Sequence, residues 1–254
     1  MKIFKPQDLE DSGGDIILLY GETGVGKSVS VIQSAEAPIF YFLTEPRQPA
    51  KFLQAANRPD LDIDFAFYEN WEEMMDFFAE TSNFTRYKTI VIDSLSFLSN
   101  VNLSEELSVE AFDARTTKEK SEKPLTSRTK LNIESYGAMA GQMMRFTNLV
   151  SKFSQLGKTV ILIALLENNP KFNRDLIGGP SLTGKSYPKS LPGFCDFIAL
   201  VEPRIDEKTG LTKFPPLAIF NSDNSYMSKW TGYPGPGRGP LDIQKILSKA
   251  HGRE

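Results

Sequence analysis

The sequence has little of several things, and each scarcity closes off a class of chemistry. It holds one cysteine, Cys195, so no internal disulfide forms, and a reducing, cytoplasmic setting is expected. It holds one histidine, His251, near the end of the chain, which removes histidine-based catalytic triads and histidine-rich zinc sites. No apolar run approaches the ~20 residues that a membrane-crossing helix needs, and no membrane partner is expected. The first residues, Met1-Lys2-Ile3-Phe4-Lys5-Pro6, lack the apolar stretch of a secretion signal. Excess positive charge is absent too: the net charge is -3, so any contact with nucleic acid must come from a local patch.

What is present suits one large α/β domain. The chain has 254 residues, 40% of them hydrophobic. Ile16 to Tyr20, Thr89 to Ile92 and Thr159 to Leu166 are nearly continuous apolar runs rather than alternating ones. That pattern predicts strands buried on both faces, as in a parallel sheet covered by helices. Ile39 to Leu43 and Ile63 to Phe67 read as further strands. Helices are expected over Lys27 to Ala35, over Asn70 to Glu80 with Asn70 as N-cap and Glu73 three residues on, and over Leu131 to Phe153. The alternation predicts a mainly parallel sheet flanked by helices. Phe197 to Val201 and Phe214 to Phe220 read as a C-terminal β-hairpin about the turn Asp206-Glu207-Lys208-Thr209-Gly210. The division expected is a core over 1–231, a Gly/Pro linker over 232–240 without regular structure, and a short helix and tail over 241–254. Leu241, Ile243, Ile246 and Leu247 give that helix an apolar face, which either docks on a neighbouring subunit or packs on its own domain.

Gly21-Glu22-Thr23-Gly24-Val25-Gly26-Lys27-Ser28 fits the phosphate-loop pattern G-x-x-x-x-G-K-S in full, between a buried strand and a helix. The glycines let successive N–H groups turn inward, and the helix that follows adds its positive end. Residues 21–29, from Gly21 to Val29, form the expected nucleotide site. Lys27 serves the β- and γ-phosphates, and Ser28 offers a hydroxyl to Mg²⁺. Lys88-Thr89-Ile90-Val91-Ile92-Asp93-Ser94 supplies a buried strand ending in an acid, and Asp93 is the second expected metal-site residue. The expected cofactors are therefore ATP and Mg²⁺. No glutamate follows Asp93, so the proton acceptor for hydrolysis must come from elsewhere. Ile39-Phe40-Tyr41-Phe42-Leu43-Thr44-Glu45 ends in one, and the alternative for Glu45 is a solvated loop acid.

A base at the end of the strand after the phosphate-loop helix resembles the RecA-like ATPases, as does Ile92-Asp93-Ser94-Leu95-Ser96. With Glu134-Ser135-Tyr136-Gly137, Pro180-Ser181-Leu182-Thr183-Gly184-Lys185 and Leu191-Pro192-Gly193-Phe194-Cys195-Asp196, the chain is similar over roughly residues 14–232 to bacteriophage proteins that carry the RecA-like core alone. Those act in single-strand annealing or recombination. The resemblance implies an oligomeric ATPase that binds single-stranded DNA and works beside a single-strand binding protein, in a bacterial or phage-infected cytoplasm. It implies two DNA-facing loops. The first lies between Leu98 and Leu131, where Arg115, Lys118, Lys120, Lys123, Arg128 and Lys130 face only Glu119 and Glu122 over residues 114–130. The second runs from Glu167 to Ser190 and offers Lys171 and Arg174, with Lys185 and Lys189 further on. It also implies a lysine that reaches a neighbour's γ-phosphate. Lys229 stands at the first such position, while Thr231 departs at the second. A polar sensor after the next core strand is either Glu167 or Asn168. A helicase- or packaging-type motor, a small-molecule kinase and a nucleotide-gated scaffold without useful hydrolysis are the alternatives.

Overall fold

The computed structural model describes residues 13–113, 133–221, 225–235 and 237–253. β1 (Ile16–Gly21) leads through the glycine loop into α1 (Lys27–Ser34). β2 (Ile39–Leu43), α2 (Pro49–Ala56), β3 (Ile63–Phe67), α3 (Trp71–Ala79) and β4 (Thr89–Asp93) follow. A helical turn at Leu95–Phe97 and a π-helical segment at Leu98–Asn102 run into α4 (Leu103–Asp113). Then come α5 (Ile133–Gln155), β5 (Thr159–Asn168), β6 (Gly178–Pro180), α6 (Ser186–Ser190), β7 (Phe197–Ile205), β8 (Thr212–Ile219), β9 (Arg238–Pro240) and α7 (Ile243–Ala250).

The strands form one sheet in the order β3-β2-β4-β5-β1-β7-β8-β9, with β6 paired to the end of β5. From β3 to β7 every neighbouring pair is parallel; β8 and β9 add antiparallel at the far edge. The apolar runs are continuous because both faces are covered. On β1, Ile16, Leu18 and Tyr20 enter one core, while Ile17 and Leu19 enter the other. The first core packs under α3 and α5, with Phe78, Phe84, Phe146 and Phe153 at its centre. The second lies under α1, α2 and α7, with Val31, Ile32, Ala56 and Ile246. The α/β architecture, the mainly parallel sheet and the C-terminal hairpin are those expected.

Helix α3 starts where the cap pattern puts it. The Asn70 side chain accepts a hydrogen bond from the Glu73 N–H at 2.9 Å, and Trp71, Met74 and Phe78 fall on one buried face.

Three expectations need correction. Residues 98–113 are helical rather than the start of a loop. The stretch 232–240 is no free linker: Arg238–Pro240 pairs with β8, Tyr233 N–H donates to the Ala250 carbonyl at 3.1 Å, and Trp230 Nε1 donates to the Tyr233 carbonyl. An edge strand pairs on one side only, so glycine and proline are tolerated there. Nor does the core end at 231. Helix α7 packs on its own domain, burying Ile243, Ile246 and Ala250. The Ser34 hydroxyl of α1 accepts from its first N–H at 2.9 Å.

Candidate nucleotide site

Parallel strands deliver their carboxyl ends to one edge of the sheet, and ligands in such folds gather outside that edge. Gly21 is paired in register with Leu165 and Val201, and Asp93 with Leu43 and Ile163, so β1, β5, β4 and β2 end side by side. The loop leaves β1 at Gly21, where a Cβ would lie 2.3 Å from the Val201 carbonyl oxygen; only glycine fits between the strands. It enters α1 through Gly26, whose φ of 100° is left-handed and suits glycine. No side chain caps α1. The first N–H groups of a helix have no acceptor within it, so those of α1 are free to serve a phosphate.

Lys27 and Ser28 stand in the first turn of α1, and both are buried. The Lys27 ammonium donates to the carbonyls of Gly21 and Glu22 at 2.8 and 2.9 Å. Burial pushes it down to about 8, against the opposing pull of Asp93. The Ser28 hydroxyl donates to Asp93 Oδ2 at 2.7 Å. The Tyr41 hydroxyl donates to the same oxygen at 2.7 Å. Burial raises the Tyr41 hydroxyl well above its ordinary range, with the Asp93 carboxylate adding to it, so Tyr41 remains a donor.

The ends of β2 and β4 are sewn together. Ser94 N–H donates to Thr44 Oγ1 at 2.8 Å, Thr44 Oγ1 donates to the Ser94 carbonyl at 2.8 Å, and Asn102 Nδ2 donates to the Thr44 carbonyl at 3.0 Å. That corner brings Glu45 to the cleft. Its carboxylate accepts from the Ser94 hydroxyl at 2.9 Å and pairs with Arg47. Glu45 keeps only 12% of its side chain exposed, which is not the environment of a solvated loop acid.

Thr23, Gly24, Gly26, Lys27, Ser28, Val29, Glu45, Arg47, Asp93 and Ser94 thus line one cleft of about 160 Å³, walled by Phe52, Ile163 and Leu165. Gly21 and Glu22 contribute carbonyls beneath it, and Val25 packs toward the core under α1. The sequence reading missed Arg47, Phe52 and Tyr41. Arg47 sits two residues beyond Glu45, a spacing that offered a signal. Tyr41 gave none, because in an apolar strand its hydroxyl has no visible purpose.

The oxygen set fits Mg²⁺. Ser28 and Asp93 are hard oxygen donors in contact, and Mg²⁺ takes few protein ligands, filling its octahedron with water and phosphate oxygens. Among the described residues no group of three or more His, Cys, Asp or Glu side chains forms a metal cage, as such a site requires none.

The remaining sequence-derived residues lie elsewhere. Arg115, Lys118, Lys120, Lys123, Arg128 and Lys130 fall outside the described residues. Lys171 and Arg174 are exposed on the segment between β5 and β6, and Lys185 and Lys189 are exposed near α6. Glu167 and Asn168 pair with Gly179 and Gly178 of β6, and neither lines the cleft. Lys229 bridges to Ile198, and its ammonium donates to the carbonyls of Pro192 and Cys195 at 3.1 and 2.5 Å. The structure holds Lys229 against its own chain and does not bring it to the cleft.

A strand-loop-helix phosphate cradle beside an acid-tipped strand defines a P-loop nucleoside triphosphatase fold. The chain matches the model of the AAA domain family over residues 14–213 and belongs to that family. Among solved structures it is similar to the KaiC-like protein of the hyperthermophilic archaeon Pyrococcus horikoshii, at 13% identity and a TM-score of 0.40, over 82% of this chain and 78% of that one. No curated protein matches it. Among the described residues no helix is long and apolar enough to cross a membrane.

Proposed function

We propose that the chain is a Mg²⁺-dependent ATPase that binds single-stranded DNA and promotes annealing or recombination as an oligomer. The observation that carries the ATPase reading is the meeting of Lys27, Ser28, Asp93 and Glu45 in one cleft. The loop N–H groups and Lys27 grip the phosphates. Ser28 and Asp93 would hold Mg²⁺, which when bound neutralises charge on the phosphate oxygens. Glu45 takes the proton of the attacking water, its carboxylate aimed by Ser94 and Arg47. Arg47 brings a second cation to the wall, where charge develops on the transferred phosphoryl group.

The DNA reading is supported by exposed Lys171, Arg174, Lys185 and Lys189 on the segment after β5, and by the cation-rich stretch 114–130 of the sequence. Serine and threonine in both segments add phosphate contacts. Binding of this kind is salt-sensitive. The test is ATP turnover with and without single-stranded DNA, alongside the mass of the assembly. Turnover that rises with DNA on an oligomer is the expected result. Turnover indifferent to DNA would return the chain to the kinase or scaffold class, and strand unwinding would make it a motor.

A further inference from the structure

A second concavity, larger than the cleft just described, lies away from it. It runs between Arg58, in the loop after α2, and the C-terminal unit of β9 and α7, reaches the last turn of α1 at Gln33 and Ser34, and encloses about 640 Å³. Its walls are cationic in a chain whose net charge is -3. Arg58 stands just beyond α2, Arg204 at the end of β7, Arg238 on β9, and Lys245 and Lys249 on α7; the one carboxylate is Asp242. Asp242 accepts the Lys245 N–H as the helix cap and lies 3.5 Å from the Lys245 ammonium, so its charge is already engaged. Among the described residues neither Arg238 nor Lys249 has a carboxylate partner, and both are exposed. Arg58 spends one nitrogen on the Gln33 carbonyl at 3.1 Å. Arg204 donates through Nη2 to the Phe214 carbonyl, while its Nε is buried with no hydrogen-bond partner. A buried donor left unpaired is costly, and a shift of the side chain that let a phosphate oxygen reach it would recover that cost.

We infer that this groove binds the phosphodiester backbone of single-stranded nucleic acid. The cations come from the loop after α2, from β7, from β9 and, for Lys245 and Lys249, from α7, an array that several phosphates of one strand would engage together. Arginine supplies three of the five cations, and its planar fork matches phosphate oxygens. The floor holds one partly exposed aromatic, Trp230, whose ring meets that of the buried Phe220 edge to face with centroids 5.0 Å apart. A basic channel with an aromatic ring in its floor is what single strands use, by charge along the backbone and by base stacking. The groove meets the last turn of α1, whose first turn carries Lys27 and Ser28. Nucleic acid here would press on the same helix that holds the phosphates.

The inference rests on the proposal that the chain binds single strands, but assigns that binding to a different face from the loops. Its test is a variant carrying Arg58→Ala, Arg238→Ala and Lys249→Ala, compared with wild type and with Lys171→Ala/Arg174→Ala. Anisotropy of a labelled oligothymidylate is read across a salt series, with ATP turnover in the absence of DNA as the check on folding. Three lost phosphate contacts lower the slope of log affinity on log salt by about 2, at roughly 0.7 per contact for single strands. Basal turnover stays at the wild-type rate. A triple variant with the wild-type slope overturns the groove assignment while leaving the DNA reading intact. Wild-type protein that fails to bind the oligonucleotide overturns both. Displacement of the oligonucleotide by poly-glutamate as readily as by unlabelled oligonucleotide of equal charge also overturns it, in favour of an acidic protein partner. If the triple variant loses basal turnover, Arg238→Glu alone, on an exposed edge, decides by the same slope.

Discussion

Replacing Glu45 by Gln keeps the size of the side chain and an acceptor for the Ser94 hydroxyl, but removes its ability to take a proton. ATP affinity should therefore persist while turnover falls on the order of 10²- to 10⁴-fold, the usual loss for a positioned base. Equilibrium nucleotide binding beside single-turnover hydrolysis separates the two effects. An unchanged rate would leave Glu45 the structural task of closing the corner between β2 and β4. At this scale the phosphate loop, Asp93 and Glu45 were legible because each is written in a short local pattern: glycines and a lysine at fixed spacing, or an acid at the end of an apolar run. Tyr41 and Phe52 were not. Tyr41 reaches Asp93 only because β2 and β4 are neighbours with Leu43 opposite Asp93. That adjacency belongs to strand order, which an apolar run does not encode.

Among the elements, α3 carries the clearest mechanical duty. Phe78 has no exposed surface, and its ring meets those of Phe42, Phe84 and Phe146 at centroid distances of 5.3, 5.2 and 5.4 Å. Phe78→Ala should cost about 3–5 kcal/mol, from lost transfer energy and the cavity left behind. Urea unfolding followed by circular dichroism measures it, and a loss below about 1 kcal/mol would show a collapsible site instead. The cap and apolar face of α3 announced it in the sequence. β9 was hidden because its residues, Arg238-Gly239-Pro240, have little strand propensity; the ladder with Leu217, Ala218 and Ile219 is what makes them a strand. Residues 98–113 fell within the loop that the resemblance placed between Leu98 and Leu131; the structure makes them helical, with Ser99 Oγ accepting from the Thr183 N–H and Asn102 tied to Thr44.

For the molecule as a whole, the question is whether one chain completes its own site. Lys229 gives two carbonyls a charged donor inside its own subunit. Lys229→Ala should therefore lower stability by about 1.5–3 kcal/mol, the range for a hydrogen bond to a charged group, with ATP affinity unchanged. Thermal unfolding and nucleotide titration check both parts. If mixing Lys229→Ala with Lys27→Ala subunits restores turnover, the lysine instead reaches across to a neighbour, and the site is built by two chains. The sheet order, the two cores and the docking of α7 on its own domain were only half legible, since α7 shows an apolar face without saying what it covers.

The central claim is that the cleft around Lys27 hydrolyses ATP. The direct measurement is Mg²⁺-dependent phosphate release by wild type and by Lys27→Ala at saturating ATP, with circular dichroism confirming that both fold. The account predicts turnover for the wild type, abolished by chelation of the metal and by the substitution. Lys27→Ala protein that releases phosphate at the wild-type rate would contradict it.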